Sequence, residues 1–274
     1  MATSRVPVVF IHGLWLHSSS WEPWMDLFTE RGFDPIAPLW PGEAPTVAET
    51  RRQAENVAGY GIDEITGHYA QVVKSLDAEP VIVGHSFGGL ITQKLLSLGL
   101  GRAGVAIDPA QIKGVKPLPF SQLRSGFPVL KNPANKKKAV SLTAKQFRYA
   151  FGNAIPENES NRLFEEYTIP SPGRPLFEAA FANFSRKSPA SVNTANPTRG
   201  PLLLISGQKD HTAPDAVTRA AYALHAASPA STDLRQFADR GHSLTVDDGW
   251  KGIADYVLEW LSTKGVQGRA GMVD

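Results

Sequence analysis

Three residues of this chain have the chemistry of a nucleophile, an acid and a base, and each stands just beyond a short apolar run. Ser86 lies in Gly84-His85-Ser86-Phe87-Gly88, directly after Val81-Ile82-Val83. A serine between glycines at a strand-to-helix turn is a nucleophile elbow: small neighbours let strand and helix close in, and the tight turn pushes the hydroxyl outward. The backbone N–H of Phe87 then opens the helix and faces the same space. A serine hydroxyl needs a base to take its proton, and that base needs an acid to orient it. Asp210 ends Gly207-Gln208-Lys209-Asp210 after the apolar residues 202–205, and His242 sits in Gly241-His242-Ser243 after residues 234–237. Asp108, which follows Val105-Ala106-Ile107, is a rival for the acid. Asp210 is favoured because its turn follows the strand nearest His242. Hydrolysis of an ester-like carbonyl through an acyl-enzyme is the chemistry expected of such a trio. The same three residues also suit a lactonase, a carbon–carbon bond hydrolase, a perhydrolase or a ligand receptor that turns over slowly or not at all.

These side chains can converge only if the elements before them lie side by side. Residues 6–11 form a continuous apolar run, as expected of a strand covered on both faces. Residues 21–31 read as a helix, 34–37 as a short strand, and Thr46-Val47-Ala48-Glu49 as a capping box opening another helix. Helical spacing of Ile62, Ile65, Tyr69, Val72, Val73 and Leu76 carries a helix to about residue 77. The elbow strand 81–83 is followed by a helix over 90–98 and a strand at 105–107. Strand 202–205, helix 215–226, strand 234–237 and helix 250–261 complete the series. The alternation predicts an α/β fold, with a doubly wound, mainly parallel sheet flanked by helices.

Residues 108–200 break that alternation. They show no clear strand, several helical fragments, many prolines and 8 of the 13 phenylalanines. So long a stretch is implausible as structureless loop, and it reads as a helical cap (108–200) inserted into a core made of residues 1–107 and 201–274. The insert is basic, with 14 Lys+Arg against 6 Asp+Glu, while the whole chain is only +2. That overall balance argues against a nucleic-acid or membrane partner and leaves a small molecule as the expected one. The chain lacks cysteine, which excludes disulfides, thiolate catalysis and cysteine–zinc sites. No metal or organic cofactor is required by the proposed chemistry. Without a signal-like leader or a membrane-length apolar run, a cytoplasmic location is expected.

Taken together, Val8-Val9-Phe10-Ile11-His12-Gly13, Gly84-His85-Ser86-Phe87-Gly88-Gly89, Gly207-Gln208-Lys209-Asp210 and Gly241-His242 resemble the α/β-hydrolase superfamily, in its cap-bearing, esterase/lipase-like form. The resemblance runs from residue 6 to 261. It implies a catalytic triad of Ser86, Asp210 and His242. It also implies an oxyanion hole formed by the backbone N–H groups of Leu14 and Phe87, with His12-Gly13 shaping the loop. Two departures are expected to matter. Residues 6–11 stand where a full family member has its third strand, so the leading hairpin is absent. The glycine-rich loop after the next strand reads Pro41-Gly42-Glu43-Ala44-Pro45-Thr46, which changes a wall of the pocket.

Overall fold

A computed structural model describes residues 5–269. The chain enters through β1 (Pro7–Ile11), α1 (Glu22–Glu30), β2 (Asp34–Ile36), α2 (Val47–Arg52), α3 (Ile62–Lys74), β3 (Val81–His85), α4 (Phe87–Ser97) and β4 (Ala103–Ile107). An insert carries α5 (Phe120–Leu130), β5 (Ala139–Val140), α6 (Ala144–Ala150), α7 (Glu157–Tyr167), β6 (Ser171–Pro172) and α8 (Arg174–Ala180). The chain then returns to β7 (Leu202–Gly207), α9 (Asp215–His225), β8 (Thr232–Phe237) and α10 (Trp250–Thr263).

Six strands form one sheet in the order β2-β1-β3-β4-β7-β8, every pair parallel. β1, β3, β4 and β7 are buried along their whole length, whereas the edge strands β2 and β8 are partly exposed. Pro35 falls on edge strand β2, where a missing N–H costs least. Alternate residues serve opposite faces. Val9, Ile11, Ile82 and Leu204 pack with Tyr69, Leu90, Leu95 and Val217. Val8, Phe10, Val83 and Leu203 pack with Trp24, Phe28, Ile253 and Val257. Two helical layers therefore clamp the sheet, which explains why the inner strands read as unbroken apolar runs.

The fold agrees with the doubly wound reading, with local corrections. Helix α4 begins at Phe87 and not near residue 90, because Ser86 itself ends the turn. The insert is not strand-free: β5 and β6 pair antiparallel in a two-residue ribbon. So short a ribbon offers no alternating pattern for sequence reasoning to find. Among the described residues, no helix is long and apolar enough to cross a membrane.

Candidate active site

The elbow is held by close approach. A Cβ at Gly88 would lie 2.0 Å from the Ile11 carbonyl oxygen, and one at Gly84 would lie 2.1 Å from the Gly88 oxygen. Only glycine lets the N-terminus of α4 settle against β1 and β3. The tension gathers at Ser86, whose φ of 56° and ψ of −119° lie in a region L-residues rarely occupy. Its backbone is locked on both sides: the N–H donates to Ile107 O at 2.9 Å, and the carbonyl accepts from Ala110 N at 2.9 Å. Its side chain makes no capping bond to α4, so the hydroxyl is not consumed by the helix it precedes.

Asp210 and His242 meet at the same rim. His242 Nδ1 and Asp210 Oδ2 are 2.6 Å apart, with both side chains fully buried. Asp210 also accepts from Thr212 N at 2.6 Å and Ala213 N at 2.9 Å, which fixes its carboxylate. Facing that acceptor, Nδ1 is the nitrogen that donates, and Nε2 is the ring nitrogen left for another partner. Nε2 is buried without a hydrogen-bond partner. Ser86 Oγ is therefore not bonded to it, although the ring packs at 4.6 Å from the ring of His85, the residue beside Ser86. Phe151 closes the other flank at 4.7 Å. His85 donates from Nε2 to the His242 carbonyl oxygen at 2.9 Å, pinning His242 to the elbow. Burial, and then the neighbouring His242, push the His85 pKa well below the usual imidazole range, so it stays neutral. The His242 loop is also tied to α1 by Trp24 Nε1, which donates to Thr245 O at 2.8 Å.

Asp108 stands beside this pair without touching the imidazole through a hydrogen bond. It has φ 40° and is fully buried, and its Oδ1 accepts from Gly207 N at 2.7 Å. Burial, and then the Asp210 charge, push its carboxyl well above the ordinary carboxylate range. Asp108, Asp210 and His242 could each offer a ligand atom within a 4.8 Å cluster. His242 Nδ1 and Asp210 Oδ2 are already engaged with each other at 2.6 Å.

The loop after β1 overlies the serine: a Cβ on Gly13 would lie 2.6 Å from Ser86 Cβ and 3.2 Å from its Oγ. Leu14 N–H, in that turn, meets no acceptor among the described residues, and Phe87 N–H stands at the first position of α4, where no intrahelical acceptor exists. His12 orients the loop. Its Nδ1 donates to Gly13 O at 2.9 Å, and that carbonyl belongs to the same peptide unit as Leu14 N–H, so fixing one end aims the other. His12 Nε2 meets Glu43 Oε2 at 3.1 Å, and the ring stacks on Trp40 at 5.0 Å. Glu43 Oε2 also accepts from Trp40 N at 3.0 Å. Glu43 was missed by the sequence reading. Its one local signal is an acid inside a Pro-Gly turn, where a solvated position is the ordinary outcome.

A cavity of about 300 Å³ opens above Ser86 and Phe87. Its walls are mainly apolar, including Trp15, Leu123, Leu130 and Leu176, and the insert supplies most of them. Of the four tryptophans near the N-terminus, only Trp15 lines it. Trp21 and Trp24 pack around Phe10 on the opposite face of the sheet. Trp15 is tied to the insert by its N–H to Ser171 Oγ at 2.7 Å and its indole to Val140 O at 3.0 Å.

The sequence matches the alpha/beta hydrolase family over residues 8–256. The chain belongs to that family. A comparison with curated protein sequences finds no match. Similar solved structures include a monoacylglycerol lipase of Paleococcus ferrophilus, at TM-score 0.66 and 20% identity over 94% of each chain. A methylesterase of Arabidopsis aligns with TM-score 0.66 and 15% identity, over 94% of this chain and 99% of its own. An enol-lactonase of Burkholderia xenovorans aligns with TM-score 0.65 and 16% identity, over 95% and 92%. At these identities the likeness establishes the fold, within a family of hydrolases. In an open parallel sheet of this kind, ligands gather at the carboxyl ends of the strands, and that is where Ser86, Asp210 and His242 lie.

Proposed function

We propose that this hydrolase cleaves carboxylic ester bonds of small to medium, largely apolar substrates through an acyl-enzyme on Ser86. The observation carrying the proposal is the buried 2.6 Å pair of Asp210 and His242, with a free imidazole nitrogen, beside a strained serine at the floor of an apolar cavity. In the proposed cycle, His242 Nε2 takes the Ser86 proton as Oγ attacks the carbonyl carbon. Asp210 holds the tautomer and stabilises the imidazolium that forms. Leu14 N–H and Phe87 N–H receive the developing oxyanion, each such donor contributing roughly 3–4 kcal/mol in comparable sites. Protonated His242 then gives its proton to the leaving alcohol, and water attacks the acyl-enzyme by the reverse route. The residues 108–200 serve in this reading as a cap whose apolar walls select the acyl or alcohol part.

The test is turnover of p-nitrophenyl esters from acetyl to octanoyl, together with lactones and amides, using Ser86→Ala as the blank. The proposal expects multiple turnovers on esters that vanish in the variant. Stoichiometric acylation without turnover would instead make the protein a ligand receptor. Undiminished activity in Ser86→Ala would remove the serine from the mechanism.

A further inference from the structure

Eight large hydrophobic side chains are exposed among the described residues, and six of them belong to the insert: Leu118, Phe120, Leu123, Phe127, Phe181 and Phe184. Phe120 is 77% exposed, Phe127 62% and Phe184 87%. Phe120, Leu123 and Phe127 recur at helical spacing on α5 and form its outward stripe, while Ser125, Gly126 and Val129 are the buried side. The helix therefore presents its largest apolar groups to water. Leu118, Leu123, Phe181 and Phe184 also line the cavity above Ser86, so the exposed groups ring its mouth.

The charges carried by the rim segments themselves have one sign. Residues 109–156 and 179–209 contain no Asp or Glu, and Lys116, Arg124, Lys131, Arg186 and Lys187 are exposed among or next to the rim residues. Contiguous exposed apolar surface marks an interaction site. Aromatic and leucine side chains interleaved with Lys and Arg suit the boundary of an anionic bilayer, where rings enter the acyl region and cations meet lipid phosphates. A second copy of the chain fits poorly. Two-fold pairing would bring two such rims face to face, and the nearby Glu178 is largely buried and already paired with Arg174, which leaves it poorly placed to offset the cations.

We propose that the rim formed by α5 and residues 181–187 is a docking surface for anionic lipid bilayers. Docking seats the cavity mouth on the membrane, so that an amphiphilic ester can pass from the leaflet toward Ser86 without crossing water. That consequence rests on the esterase reading; the docking itself does not.

Vesicle sedimentation tests it, with the full chain mixed with phosphatidylcholine vesicles or with vesicles of equal parts phosphatidylcholine and phosphatidylglycerol. Binding to the anionic vesicles is expected to exceed binding to the neutral ones at least about tenfold at low salt, and to fall as salt rises. Ser86→Ala should bind like the wild type, which separates docking from catalysis. The double variant Phe120→Asp/Phe127→Asp changes residues outside the cavity lining. It should lose at least about tenfold in vesicle binding while keeping the wild-type melting temperature and turnover of p-nitrophenyl acetate. Absence of binding to both vesicle types would overturn the proposal. So would a wild-type dimer in solution that the double variant converts to monomer, since the rim would then be a self-interface.

Discussion

Strand β4 and helix α5 treat their largest apolar residues in opposite ways. Every residue of β4 is buried, and Asp108 directly after it is a carboxyl whose burial alters its chemistry. Only a few residues further along, α5 turns Phe120 and Phe127 into water and keeps a serine and a glycine inside. The difference separates two tasks. The sheet holds charged and strained groups in fixed positions, which requires a dry and close-packed setting. Residues 108–200 do both: α5 presents apolar surface, while Val129, Phe147, Phe151 and Leu163 join the core on one face of the sheet.

The sharpest way to break this contrast is through the acids at the sheet rim. Asp210→Asn should lower kcat by about 10⁴-fold, since an amide favours the wrong imidazole tautomer. Asp108→Asn keeps an acceptor for Gly207 N–H and should cost less than about tenfold. Steady-state kinetics on one ester measures both; the reverse order would move the orienting acid to β4.

Glycine substitutions probe packing in the two regions. Gly88→Ala should cost about 4 kcal/mol or more, because the added methyl lands on the Ile11 carbonyl oxygen. Gly126→Ala on α5 meets nothing nearer than 3.4 Å and should stabilise the protein by about 0.5–1 kcal/mol through helix propensity. Thermal denaturation compares them directly, and equal losses would erase the distinction between core and insert.

Acid should also act on the sheet body first. Residues 108–200 contain no histidine, whereas His225 on α9, whose Nε2 bonds Gln93 Oε1 at 3.0 Å, has its pKa lowered by burial, and then by Arg199, to about 4. A histidine whose folded pKa lies below its unfolded value favours the fold at high pH and loses that contribution as pH falls. The loss should begin near pH 6.5 and continue toward pH 4, amounting to about 3 kcal/mol when complete. Urea titrations across that range should show it, and His225→Gln should flatten the slope. An unchanged slope would contradict the assignment.

The same contrast governs what could be read from the sequence. The inner strands were legible because burial on both faces leaves an unbroken apolar run, and the elbow was legible because close approach admits only glycine at positions 84 and 88. The juxtaposition of Asp210 with His242 followed from both ending strands of one sheet. The ribbon of β5 and β6 was hidden by its length, and the inward turn of Glu43 depends on His12, 31 positions away. The near-neutral total charge gives no sign of the docking proposed above, because composition does not show that Phe120, Phe127, Phe181 and Phe184 lie outside while Phe147, Phe151 and Phe177 lie inside. Exposure is a tertiary property, and a phenylalanine count carries none of it.

The central claim is that Ser86 Oγ is the nucleophile activated by His242. Intact mass and peptide mapping after treatment with a fluorophosphonate test it most directly. The account predicts one adduct per chain, on Ser86, forming much more slowly in His242→Ala. Modification at another residue, or labelling of Ser86 at the same rate without His242, would contradict it.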